Sequence, residues 1–199
     1  MTPLPTWATI ETELAGRPKI EVVRLAVRAA ARLVPVIVEG TAEYGPEALE
    51  WAHATDSVVK LVEAFACGEK VSRFTLDLAS EVARGTANSA SAIVRLLGPS
   101  KAAEDAELAF AAAAFAAHAA RSSSAGRIAA AAMQALRVVH ASGRVPEELL
   151  AADYHGSEAA LWPLGEPNWF SEGRAKLATA VGLPVVLRCG TFDLPHIEV

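Results

Sequence analysis

From Ala102 to Ala141 the chain reads AAEDAELAFAAAAFAAHAARSSSAGRIAAAAMQALRVVHA, two alanine-lined helical runs joined at Arg121–Gly126. Alanine is the strongest helix former because its side chain has no rotamer freedom to lose. It also has no bulk, so two alanine faces let helix axes approach toward the short end of the roughly 8–10 Å range. The serines of the interruption suit a helix cap and Gly126 suits a turn. A connection this short forces the two helices into an antiparallel hairpin. Phe110, Phe115, Ile128, Met133, Leu136 and Val139 supply the bulk that alanine lacks. This hairpin is expected to be the centre of the core.

Alanine also explains much of a hydrophobic content of 52% that includes only 6% aromatic residues. At 199 residues the chain has room for one domain with a good core, or one domain with an appendage. A net charge of −5 argues against nucleic acid as a partner. The N-terminus carries neither a basic region nor an apolar core of a signal peptide, and Leu108–Ala117 falls short of the roughly 20 residues of a membrane span. Cys67 and Cys189 stand apart with no CxxC pairing, which fits a reduced compartment. A cytoplasmic protein with no membrane contact is the expectation. A mean hydropathy of +0.28 leaves apolar surface for a partner or a homo-oligomer.

Taken in order, Thr6 caps a short helix ending at Gly16, and Pro18 opens the next, with a kink or an early end at Pro35. Its outer face is read as a ridge of Arg24, Arg28 and Arg32 at successive i,i+4 positions. Pro46 starts a helix to Cys67, with His53, Asp56, Lys60 and Glu63 on the solvent side and Asp56 spaced to pair with Lys60. Ser72 opens a long helix to about Leu97. Its polar line from Arg73 to Arg95 keeps phase through Gly85, which with Ser89 is placed on the inward side. Pro146 starts a short helix through about Tyr154, and Ser171 caps a last helix to Val181. Leu183–Cys189 has the β-branched density of one short strand. The expected fold is all-α: an antiparallel bundle of five to seven helices over 1–143, with an extension over 144–199 packed on it.

Two sets of residues suit a protein partner. The arginine ridge can meet an acidic surface, because guanidinium forks favour bidentate carboxylate contacts. Trp162, Trp169 and Phe170, in the aromatic-proline segment LWPLGEPNWF, can anchor an interface or fold back over the bundle. His53 and His118 are read as surface residues, and His140 as a histidine at the core edge. The triple Ser122–Ser124 is read as turn and cap. No histidine spacing matches a metal site, no nucleophile motif is present and no acid pair stands out. No cofactor, metal or catalytic residue is therefore assigned.

The segments RLAVRAAARLVPVIVEG, EALEWAHATDSVVKLVEAFACGE, AFAAAAFAAHAAR and GRIAAAAMQALRVVH, in that order, resemble an alanine-rich, all-helical family of immunity proteins from bacterial polymorphic-toxin systems. The resemblance covers roughly residues 20–142 and carries over no site residue. It implies a non-enzymatic intracellular protein that binds and neutralises a toxin domain. Two alternatives stay open: a self-assembling helical scaffold, and a metal-dependent enzyme using His140 with Asp153.

Overall fold

The computed structural model describes residues 3–41, 46–98, 100–156 and 175, and every element among them is a helix. In order these are α1 (Trp7–Gly16), α2 (Lys19–Arg32), α3 (Val34–Thr41), α4 (Pro46–Ala66), α5 (Arg73–Leu97), α6 (Lys101–Arg121), α7 (Ala125–Ser142) and α8 (Glu147–His155). The all-α expectation holds. The expected strand at 183–189 and the helix from Ser171 lie outside the described residues.

Helix starts follow side-chain capping. The hydroxyls of Thr6, Ser72 and Ser100 accept from the backbone N–H groups of Thr9, Thr75 and Ala103 at 3.3, 3.0 and 3.1 Å. Gly143 ends α7 in the left-handed conformation, at φ 65°, which suits a residue without Cβ. The expected disturbance at Pro35 falls two residues earlier. Proline offers no N–H to the Ala31 carbonyl and its ring crowds that oxygen, so α2 stops at Arg32 and α3 begins afresh at Val34.

The hairpin of α6 and α7 is the centre of the structure, as its composition suggests. α6 packs against α2, α3, α4, α5 and α7. It buries nine alanines from Ala103 to Ala120, and Phe110 is its one large fully buried side chain. Bulk comes from the neighbours: Leu25 and Val27 of α2, Ile37 of α3, Val62 of α4, and Leu136 and Val139 of α7 are all buried. α1 lies on α7 and buries Ile10 and Leu14. α8 packs on α2 and α7, and its Leu150 and Tyr154 join the same core.

Three sequence placements change. Gly85 faces solvent, and a Cβ built there meets nothing within 4 Å. The inner line of α5 is instead Leu76, Ala79, Ala83, Ala90 and Val94. Gly126 sits inside α7, not in the turn. Asp56 and Glu63 on α4 are buried, although Asp56 does pair with Lys60 at 2.7 Å.

A buried ion cluster ties the start of α6 to the end of α7. Asp105 is 0% exposed and accepts from Lys101 Nζ at 2.7 Å and Arg144 Nε at 2.6 Å. Burial pushes its pKa up, but the donations from Lys101 and Arg144 together outweigh burial and hold it below the usual aspartate range.

Two outcomes follow from this packing. Replacing Ala112, which is fully buried, by leucine should destabilise the fold by about 1–3 kcal/mol or more in urea denaturation, because α6 has no space to receive it. Asp105 has a lowered folded pKa, so its contribution is present above about pH 4 and is lost as pH falls through that folded pKa. The melting temperature of wild type should exceed that of Asp105→Asn at pH 7, and the gap should close in acid.

Candidate functional site

The arginine row of α2 is the first place to look for partner chemistry, and the structure turns it inward. Arg28 is 0% exposed, and Arg32 grips Asp153 of α8 with both ends of its fork, at 2.6 and 2.9 Å. Arg28 Nη1 lies 3.7 Å from the same carboxylate and donates to the Asp153 carbonyl at 3.3 Å. Arg24 Nε donates to the Ala66 carbonyl at 3.0 Å. The outer ridge is thus a correction: three like charges in a row are tolerable because α8 brings an acid and carbonyl oxygens to Arg28 and Arg32, and the end of α4 brings the Ala66 carbonyl to Arg24. Arg17 completes this clasp, donating to the Tyr154 carbonyl at 3.0 Å and lying over the Tyr154 ring. The Tyr154 hydroxyl donates to Glu13, and burial together with that bond pushes its pKa up to about 12. Helix α8 ends against guanidinium groups, the arrangement its unsatisfied C-terminal carbonyls favour.

The other expected sites resolve unevenly. Trp162, Trp169 and Phe170 lie outside the described residues. His140 is exposed and meets Trp7 edge-on at 5.5 Å, so it is not a core-edge residue. Asp153 is engaged by Arg28 and Arg32. Among the described residues no group of three or more His, Cys, Asp or Glu side chains is placed to hold a metal ion, and no helix is long and apolar enough to cross a membrane.

Exposed cationic chemistry gathers elsewhere, where the start of α5 meets the α6–α7 turn. An open cavity of about 180 Å³ is lined by Arg73 and Asp77 of α5, His118 and Arg121 of α6, the Ser122–Ser124 turn, and Arg127 of α7. Three helices each contribute one guanidinium. Asp77 is the one acid in the lining, 3.7 Å from Arg121 and 4.0 Å from Arg73. Arg127 makes no ion pair or hydrogen bond among the described residues. Behind the rim, Lys19 Nζ donates to the Ser122 carbonyl at 2.7 Å, and burial followed by the nearby Arg73 charge lowers its pKa. The His118 Nδ1 accepts from Arg121 Nε at 3.4 Å. Burial first, then Arg121 and Arg127, push the imidazole pKa down, so this histidine is neutral at pH 7.

The first turn of α7 reinforces the same polarity. It holds no acidic residue, and its N-cap Ser124 makes no side-chain capping bond. Its amides face the positive end of a helix dipole toward the rim. Guanidinium forks on a concave surface suit planar oxyanions, carboxylates above all. The signal in the sequence was the pair Arg121 and Arg127 bracketing three serines; Arg73 joins them only through the packing of α5 on α6.

Family models, curated proteins and solved structures contain no match to this chain.

The buried clasp makes a direct stability test. Asp153→Ala leaves Arg28 and Arg32 facing a low-polarity interior without their carboxylate, and should lower the unfolding free energy by about 3–5 kcal/mol in urea titration. Asp153→Asn keeps an acceptor and should lose less.

Proposed function

We propose that this protein is a non-enzymatic binding protein that holds an acidic segment of a protein partner in the cationic corner of Arg73, Arg121 and Arg127. What supports this reading is the convergence of three guanidiniums from three helices around one carboxylate, on a chain whose net charge is −5. In an acidic protein such a concentration of positive charge steers acidic partners to one place and sets their orientation. Ser123 and Ser124 add exposed hydroxyls to the rim, where they can complete the shell of a bound carboxylate.

The resemblance to immunity proteins gives this reading its specific form: a cytoplasmic protein that occupies a toxin domain and blocks it without chemistry of its own. Tagged protein is used to capture partners from native lysate, beside an Arg121→Glu/Arg127→Glu variant of unchanged helix content. One stoichiometric partner held by wild type and lost by the variant is the expected result. Co-expression with the toxin-like product of the neighbouring gene should restore growth in wild type and not in the variant. Capture that survives the double reversal overturns the corner as the site. Absence of both capture and growth rescue overturns the binding reading.

A further inference from the structure

A single carboxylate answers only part of what the cationic corner offers. His118 is uncharged at pH 7, so Arg73, Arg121 and Arg127 against the one acid Asp77 leave two positive charges around one cavity. The surroundings do not cancel them. Glu81, one turn along α5 from Asp77, is paired with Arg84, and Lys19 behind the rim adds charge of the same sign.

Hydrogen-bond donors are as available as the charge. Arg127 makes no ion pair or hydrogen bond among the described residues, and Arg73 meets Asp77 only at 4.0 Å, beyond hydrogen-bond range. Arg121 lies 3.7 Å from Asp77 and donates its Nε to His118, which leaves both terminal amino groups without a hydrogen bond among the described residues. The hydroxyls of Ser123 and Ser124 are exposed and make none either. A carboxylate brings one charge and two oxygens, enough to match about one guanidinium fork. Two carboxylates held together in about 180 Å³ repel one another, and one of them takes up a proton. A phosphate monoester places both charges on one group. At pH 7 it carries about −1.5 to −2 and has three strong acceptor oxygens.

We propose, resting on the corner as the partner site, that the group it recognises is a phosphate monoester on a side chain of the partner segment. Arg73, Arg121 and Arg127, one from each of three helices, each take one terminal oxygen, and Ser123 and Ser124 donate to the lone pairs that remain. Asp77, within 4.0 Å of Arg73 and Arg121, offsets the mutual repulsion of those two guanidiniums in the free protein. Arg73, Ser123, Ser124 and Arg127 are exposed, so a phosphate borne on a chain reaches the corner from solvent. A net charge of −5 disfavours an anionic membrane as the source, and a nucleic-acid phosphodiester brings one charge where the corner holds two. Binding is thus conditional on a phosphoryl transfer to the partner, because the unmodified hydroxyl brings no charge to the corner.

The probe is a set of three peptide libraries of one design, with random flanks around a central phosphoserine, aspartate or serine. The full chain should retain the phosphoserine library about tenfold or more above the aspartate one, and the serine library least. Inorganic phosphate should compete. Arg127→Ala, altered at an exposed position, should keep its helix content and bring phosphoserine retention down toward that of aspartate; Ser123→Ala/Ser124→Ala should lower it by less. Equal retention of the aspartate library overturns the phosphate and leaves the corner as a carboxylate site. Phosphoserine retention that survives Arg121→Glu/Arg127→Glu overturns the corner as its location. Retention of none of the three libraries overturns the phosphate, while capture from lysate reports separately on the corner through its two arginines. Vesicles containing phosphatidic acid are the last arm: binding to them as tight as to the phosphoserine library overturns the protein-borne source.

Discussion

The separation between α6 and its neighbours is the constraint on which the rest of this structure depends. A helix packed on five others meets side chains around most of its circumference. With leucine-sized residues at all of those positions, the surrounding helices would stand further out. Alanine at nine buried positions lets them close in, and the larger side chains of α2, α3, α4 and α7 then reach the interior over its edge. That close packing also sets where the N-terminus of α5, the C-terminus of α6 and the start of α7 meet. The cationic corner is a by-product of that geometry: Arg73, Arg121 and Arg127 belong to no common helix and are neighbours only because three ends coincide.

Charge is used in two unlike ways. In the interior, Arg28 and Arg32 share Asp153, while Lys101 and Arg144 share Asp105. Each cluster joins segments far apart in sequence, and each is oriented by hydrogen bonds as well as by charge. Such clusters contribute specificity of placement more than net stability: they say which end of α8 meets which turn of α2. On the surface, the Arg73–Asp77 and Glu81–Arg84 pairs are solvated and contribute little to the fold. What matters there is the charge left over, positive at the corner and at Arg95.

Much of the fold was legible because its signals are local. Thr6, Ser72 and Ser100 announced helix starts that the structure keeps, and the α6–α7 hairpin followed from composition and a short turn. Orientation was harder to read. Arg24, Arg28 and Arg32 look like a solvent face until α8 arrives, and Asp153 lies 121 residues beyond Arg32, where no helical periodicity reaches. Gly85 failed for another reason. The inner line of α5 is largely alanine, so glycine and alanine on the outer side show little contrast with it, and the charged line occupies only one edge of the exposed arc. The corner was partly visible as Arg121 and Arg127 around the serines. Its third arginine needed the fold.

The adjacency of α5, α6 and α7 has a consequence for how the chain reaches this state. The tightest contacts of α6 are with the helices just before and just after it in sequence. Such neighbours meet after closing short loops, the search that limits folding speed least. Alanine adds to this, since a side chain with no rotamers surrenders no rotamer entropy when it is buried. These three helices can therefore form their mutual contacts at little cost in loop closure. The arginine clasp differs in kind, since Arg32 and Asp153 are 121 residues apart and meet only across a long closed loop. In this chain the residues that look most like a recognition surface in the sequence hold two distant segments of the chain together.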